Sequence, residues 1–450
     1  MKILMTGGTG LVGCEVGRLL SALGHEIVVI SRNRKSALKR LTYKAEIVEH
    51  DLTANPLDLK HYSGVGVIIN LAGETVDGRW TEAKKKQILD SRVKTTQNLL
   101  KNCPAEVNLL ISASAQGFYG DAGDTNLNEE SKQGEGFLSE VCKEWENATE
   151  TFKGKRKVIF RIGLVLSKKG GALPKLVSLF RKNLGAKLGS GNQWMSWISL
   201  NDLANYFIAA VKNENIFGVI NAVNGNPISN SDFTHVLCRS INALQIPAAP
   251  AFAVKTLLGE MSSLVLGSQK VFSNKQFGSD LLCSDNDLES FLKNELSVCS
   301  KGESFFYAEQ FIPRKIEEVF SFFSDAYNLE KITPDILNFK ILSVSTPQIE
   351  KGTLIEYKLK IHHVPVKWRT EISDWQPPQK FSDNQLKGPY SLWYHTHSFE
   401  SVPGGTLMTD VVRYKLPLGS FGNLIAGLPV ESDINEIFEY RRATITELFI

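Results

Sequence analysis

Three glycines, Gly7, Gly10 and Gly13, stand directly after a short apolar run, Lys2–Thr6, and directly before a helical pattern. In that setting the chemistry is anion binding. Gly7 can take a tight turn, Gly10 lets backbone approach a pyrophosphate, and Gly13 lets the helix pack closely on the strand. The N-terminus of the helix adds N–H donors and a favourable dipole, which makes Thr9, Leu11 and Val12 candidate contacts beside the glycines. Nineteen residues past Gly13 the second apolar run ends in Ser31-Arg32. An acidic residue there would bond a free ribose 2′-hydroxyl. The planar guanidinium of Arg32 suits a 2′-phosphate instead, so NADP(H) is the expected cofactor.

The elements that must hold these residues are short apolar runs alternating with helical patterns: Lys2–Thr6, Glu26–Arg32, Ala45–Asp51, Val65–Gly73, Asn108–Ala115 and Lys157–Leu166, with Gly218–Val223 later. Near-continuous Val/Ile runs predict strands buried on both faces, and their alternation with helices predicts a doubly wound parallel α/β sheet. Asp51-Leu52, at the end of the third run, can reach an adenine amino group. Ala72, Gly73 and Glu74, at the end of the fourth, can bring backbone to the middle of the cofactor. All lie at carboxyl ends of strands, the edge where open α/β sheets bind ligands.

Composition divides the chain. Phe, Trp and Tyr number 20 in residues 1–303 and 22 in residues 304–450, whereas all six cysteines fall in the first part. The net charge of +3 gives no pull toward nucleic acid. The first residues do not read as a signal peptide, no run is long enough to span a bilayer, and the cysteines lie far apart without a C-x-x-C pair, so a cytoplasmic protein without disulfides is expected. The expected division is 1–245, 246–300 and 303–450, with the junction at Lys301-Gly302.

Thr6–Gly13, Asp51-Leu52 and Asn70–Gly73 resemble the extended short-chain dehydrogenase/reductase superfamily, and the chain is similar to its atypical epimerase-like family of nucleoside-sugar epimerase-type proteins. The likeness continues in Gly78-Arg79-Trp80, Ile88–Arg92, Ser112–Gly120 and Gly189–Ile198, and in Pro250–Ala253 and Leu258–Met261, which look like the family's C-terminal helical module. It implies a Rossmann-like sheet with a small helical lobe, and NADP(H) contacts at Ser31, Arg32, Asp51, Leu52, Glu74 and Arg79. Such enzymes normally carry a Tyr-x-x-x-Lys pair, in which lysine lowers the tyrosine pKa and the phenol exchanges a proton as hydride moves. Here the corresponding helix reads Phe137–Glu146, and Leu138 and Cys142, or Ser139 and Lys143, take those positions. Ser114 and Tyr119 remain as catalytic candidates, with the alternative, implied by related extended enzymes, that a Tyr-Gly at this place is architectural; Cys142 is a candidate redox or nucleophilic thiol, or a small buried hydrophobe. Gln193, Trp194, Ser196 and Trp197 lie on a segment expected to fold over the site, and Asp202 is expected to cap the helix that follows.

The aromatic part reads as a strand (Phe305–Ile312), short helices, alternating strands from Phe339 to Leu416 and a final helix from about Glu431. This order is similar to the helix-grip α+β fold of the START/polyketide-cyclase-like (SRPBCC) superfamily, which implies an apolar cavity for a hydrophobic ligand. Trp368, Trp375, Tyr390, Trp393, Tyr394, Phe399 and Tyr414 are candidate lining residues, with the alternative that they fill a core, and Pro417–Pro429 is a candidate loop over the mouth. His395 and His397 share a strand face, but no carboxylate stands at ligand spacing, so no metal is expected. With 15 Lys and Arg against 18 Asp and Glu, this part does not suit a membrane-surface carrier. Two functional readings stay open: an NADP(H)-dependent epimerase or oxidoreductase acting on a small molecule, with a fused ligand-binding domain, or a non-catalytic NADP(H)-binding sensor or scaffold coupled to such a domain. The substrate and the oligomeric state are not legible.

Overall fold

The computed structural model describes the chain except residues 276–280, 299, 301, 418 and 450, and of residues 419–426 and 428 it describes the backbone alone. Cys299 and Lys301, one half of the expected junction, therefore lie outside the described residues. Among the described residues the cysteines are free, and no helix is long and apolar enough to cross a membrane.

The first part alternates β1 (Lys2–Thr6), α1 (Leu11–Ala22), β2 (Glu26–Ser31), α2 (Arg34–Arg40), β3 (Glu46–Glu49), β4 (Val65–Asn70), α3 (Glu82–Leu100), β5 (Leu109–Ala115), α4 (Phe137–Ala148), β6 (Arg156–Ile162), α5 (Leu200–Lys212) and β7 (Gly218–Ala222). The strands form one parallel sheet in the order β3-β2-β1-β4-β5-β6-β7. The apolar runs explain the layering. Ile3, Met5, Val67 and Ile69 face a core closed by α1 and α5, while the alternate residues Leu4 and Ile68 face a core with Leu99 and Leu100 of α3. Strands wet on one face would need a polar residue at every second position; these have none to spare. The chain leaves the sheet in opposite directions from β1 and β4, and the crevice at that switch point is where such sheets bind ligands.

A second lobe packs Trp197, Phe233, Leu237, Phe291 and Leu292 into one core, with α6 (Asn230–Ile241) and α7 (Leu288–Glu295). Asp202 does not cap α5. The Ser199 side chain accepts from the Asp202 N–H at 3.0 Å and caps the helix, and the Asp202 carboxylate accepts from the Ser284 N–H and hydroxyl at 2.9 and 2.7 Å. Serine and aspartate are both good caps, and position alone selected between them.

The C-terminal part is a seven-stranded antiparallel sheet: β8 (Ser304–Ile312), then α8 (Ile316–Phe323), β9 (Lys340–Val344), β10 (Leu354–Ile361), β11 (Val364–Gln376), β12 (Lys380–Lys387), β13 (Leu392–Val402), β14 (Gly405–Lys415) and the helix α9 (Gly419–Phe449). The order across the sheet is β8-β14-β13-β12-β11-β10-β9. α9 sets Ile434, Phe438, Ile445 and Phe449, spaced by four and seven, against it. The helix starts at Gly419, so the expected loop Pro417–Pro429 is mostly helical, and Pro429 lies inside it.

The two parts are docked. β8 is an edge strand, and the Phe311 N–H donates to the Leu41 carbonyl at 3.2 Å. Lys169 bridges Glu15 of α1 and Glu309 of β8 at 2.9 and 3.0 Å, and Phe305 packs against the second lobe's core. Burial alone would raise the Glu15 carboxyl, but Arg18 and Lys169 outweigh it and hold it below its ordinary value. Its contribution is therefore full above the unfolded-state pKa of ~4.3 and is lost as pH falls through the lower folded value. Lys169→Met should cost about 3 kcal/mol, the low end for a broken buried pair. Thermal melts between pH 3 and 7 check both points: parent and variant should differ most near neutrality and converge in acid.

Candidate functional site

The turn after β1 has the shape that phosphate binding needs. Gly7 sits at φ +67°, and a side chain there would meet Leu71 backbone at 2.6 Å. The Gly10 N–H donates to the Gly7 carbonyl at 3.0 Å. Any Cβ on Gly13 would enter the Gly7 carbonyl. Gly10 caps α1 with no side-chain hydrogen bond, and the first turn carries no acidic residue. The glycines thus leave a bare cradle that side chains would fill, which fits a dinucleotide pyrophosphate. Thr9, Leu11 and Val12 surround it and are half-buried.

Around this cradle the strand ends fall as the sequence predicts, with differences in detail. Arg32 is exposed just past β2, and Ser31 is half-buried beside it. Asp51 accepts from the Thr53 hydroxyl and N–H at 2.6 and 2.9 Å, bonds that hold its carboxyl below its ordinary value; Leu52 is buried in the α3-side core. Asn70 is a structural hub, accepting from Thr6 and donating to Thr96 and Ser112. The Ala72 N–H donates to the Thr6 hydroxyl at 3.2 Å, while Gly73 and Arg79 are exposed. Glu74 pairs with Lys84 at 2.8 Å.

The catalytic candidates belong to one buried network. Ser114 donates to Glu146 Oε1 at 2.6 Å. Arg161 forks onto both Glu146 oxygens at 2.8 Å and donates to the Tyr119 phenol oxygen at 3.1 Å. The Tyr119 hydroxyl donates to Asn221 at 2.7 Å and is 2% exposed. Burial, only partly offset by Arg161, holds that phenol above its ordinary pKa. Tyr119 thus donates within the framework, as the architectural alternative for it expects. Glu146 and Arg161 are the members that sequence reasoning did not join, because their contact depends on α4 packing across β6. Cys142 is no better placed as a nucleophile: burial pushes its thiol up to about 11. Ser139 donates to the Phe118 and Gly134 carbonyls, and Lys143 is exposed.

In the segment expected over the site, Gln193 donates to two backbone carbonyls and Ser196 to that of Gln269. Trp197 is core, tilted against Phe291 at 5.3 Å. Trp194 alone is half-exposed, with its indole N–H donated to Asp124 at 2.6 Å and Lys270 over its ring.

The family model described as NAD dependent epimerase/dehydratase matches residues 3–222. An Arabidopsis thaliana protein named epimerase family protein SDR39U1 homolog, chloroplastic, is 36% identical over 278 residues, covering 60% of this chain and 80% of that protein. The chain belongs to the epimerase family. Epimerase family protein YfhF of Bacillus subtilis is 35% identical over 296 residues, covering 64% of this chain and 96% of that protein. A second model, a domain of unknown function named DUF1731, matches residues 249–294. Among solved structures, human epimerase family protein SDR39U1 with NADPH superposes with a TM-score of 0.58 at 28% identity, over 66% of this chain and 99% of that one.

Beyond the epimerase-family part, the antiparallel sheet and α9 enclose a cavity of about 410 Å³. Trp368, Tyr390 and Trp393 line it as expected, joined by Phe323, Tyr357 and Phe381. Trp375, Phe399 and Tyr414 belong instead to packed cores, and Tyr394 lies under the Arg413 guanidinium. The aromatic excess therefore divides between filling the sheet and walling a chamber. Asp383, His395, His397 and Arg441 are among the chamber's polar lining residues. Burial holds His395 down at about 4. For Asp410 beside it, burial acts upward, but Arg441 and the two histidines outweigh it and keep the carboxyl well below its ordinary value.

Proposed function

We propose that the chain is an NADP(H)-dependent epimerase or oxidoreductase whose C-terminal domain, a helix-grip fold of the START/SRPBCC type, takes a hydrophobic ligand. The observation that carries the cofactor reading is the bare glycine cradle with Arg32 beside it. Gly7, Gly10, Gly13 and the first N–H groups of α1 would hold the pyrophosphate. Ser31 and Arg32 would hold the 2′-phosphate, and Asp51 and Leu52 the adenine. The backbone of Ala72 to Glu74, with Arg79, would flank the middle of the cofactor. When bound, the nicotinamide supplies hydride transfer; the residues named here bind and orient it. The NADPH in the human relative supports the 2′-phosphate reading. The strand, helix, strands and long helix of the C-terminal domain, with the chamber they enclose, support the ligand-binding reading.

One observation favours a second reading, a non-catalytic NADP(H)-responsive binding protein: Tyr119 is buried and committed, and no Tyr-x-x-x-Lys pair stands on α4. Under the first reading, a small molecule extracted from the full chain drives NADPH oxidation or NADP reduction when added back. Under the second, NADPH binds and no extracted compound changes its oxidation state. In either case Arg32→Ala should weaken NADPH binding about 10- to 100-fold, the scale of one lost charge-assisted bidentate contact, and leave NADH binding within about twofold. Calorimetric titration with both nucleotides checks this; equal losses for the two would remove Arg32 from the 2′-phosphate.

A further inference from the structure

Along the sequence, His395-Thr-His397 has no carboxylate at ligand spacing; across the sheet it has two. β12 and β13 pair with Asp383 opposite His395, and β13 and β14 pair with Asp410 opposite His397. Asp410 Oδ1 lies 2.9 Å from His395 Nε2 and 2.8 Å from His397 Nδ1. The first contact is a hydrogen bond, in which the ring nitrogen donates to the carboxylate; the second lacks hydrogen-bond geometry and leaves His397 Nδ1 without a hydrogen-bond partner among the described residues. His395 thus donates through Nε2 and keeps a lone pair at Nδ1; the nitrogens on the Asp383 side are this Nδ1 and His397 Nε2. Both face Asp383 Oδ2 at 3.6 Å. One possible ligand atom from each of Asp383, His395 and His397 thus lies within 4.8 Å of the other two.

The spacing is that of ligands around an ion. With metal–nitrogen and metal–oxygen bonds of about 2.1 Å and tetrahedral angles, neighbouring donor atoms stand about 3.4 Å apart. Two imidazoles and one carboxylate suit a borderline divalent transition metal over magnesium or calcium, which prefer oxygen. The Asp410 carboxylate behind the His395 ring fixes that ring's tautomer and orientation, as outer partners of metal-bound histidines do. We propose that Asp383, His395 and His397 form a divalent transition-metal site of the zinc class, held from behind by Asp410 and open to the cavity. Arg441 lines the same cavity, as do Lys360 and the acidic Asp325, Asp433 and Glu436. A metal position open to the cavity would take an oxygen donor carried on an otherwise apolar molecule. The metal site itself stands apart from the nucleotide reading and from what ligand the chamber holds.

The test uses the full chain, stripped with chelator and titrated with cobalt(II) as the probe. One cobalt per chain with visible d–d absorption is expected, displaced by one equivalent of zinc and not by excess magnesium. Asp383→Asn should weaken cobalt binding at least 100-fold, and Asp410→Asn about 10- to 100-fold. His397→Cys should keep the metal and add a thiolate charge-transfer band, which a merely structural histidine would not give. Melting in chelator shows whether each variant is folded before titration, and His397→Cys carries the test if Asp383→Asn is not. No cobalt band in the parent, or a band that neither Asp383→Asn nor His397→Cys alters, overturns the proposal.

Discussion

Gly13→Ala will cost the chain its dinucleotide affinity, by more than about 100-fold, while Gly66→Ala leaves it unchanged. The added methyl at residue 13 would enter the Gly7 carbonyl oxygen and stand 2.7 Å from the Gly8 Cα and 2.9 Å from the Gly7 carbonyl carbon. All three atoms are backbone, so no side chain can swing aside. The strain must go into moving α1 off β1 or into opening the turn that the Gly10 to Gly7 hydrogen bond closes. Overpacking of this kind costs about 1–3 kcal/mol in stability and sometimes more. The phosphate cradle suffers further, since its donors are useful only when aimed together. A Cβ on Gly66, in β4, meets nothing within 4 Å. Calorimetric titration with NADPH, with circular dichroism to confirm folding, checks the pair.

Glu146→Gln should be the most damaging change in the buried network, lowering stability by about 3–5 kcal/mol. The carboxylate accepts from Arg161 through two nitrogens and from Ser114. An amide turns one of those acceptors into a donor facing the guanidinium and leaves a buried cation uncompensated. Arg161 cannot escape: it is packed 3.4 Å from the Phe118 ring centroid and held to Tyr119. The double change Glu146→Leu with Arg161→Met removes both charges and should be markedly more stable than either single variant, because breaking a buried pair costs more than deleting it. Denaturant melts of the four proteins give the coupling directly; additive losses would show that the pair contributes independently of its partner.

The nucleotide edge was legible because its signals are local. Gly7, Gly10 and Gly13 act within seven residues of one another, and strands buried on both faces leave no polar alternation to misread. Contacts made by packing were not legible. Glu146 and Arg161 lie on elements whose approach no spacing encodes. Local spacing leaves two roles open for Tyr119, and its partner Asn221 lies some hundred residues away. In the C-terminal sheet, Asp383 and Asp410 reach the two histidines through strand register, which is set by the whole hairpin series. The start of α9 was missed for a different reason. Gly419, Gly422, Gly427 and Pro429 all argue against a helix by propensity, and burial against the sheet prevails from Val430 onward.

The docking of β8 bears on how the chain can be handled. That strand ends its sheet, one of its outward N–H groups is taken by the Leu41 carbonyl, Glu309 pairs with Lys169, and Phe305 packs on the second lobe's core. Cutting near residue 303 would bare a long aromatic strand, Ser304–Ile312, with nothing to pair it, the condition that invites edge-to-edge aggregation. The C-terminal part expressed alone is thus expected to precipitate or dimerise through β8, unless a charge is placed at an outward position such as Phe305. Expression of separated halves would then report on a sticky edge rather than on what each half binds.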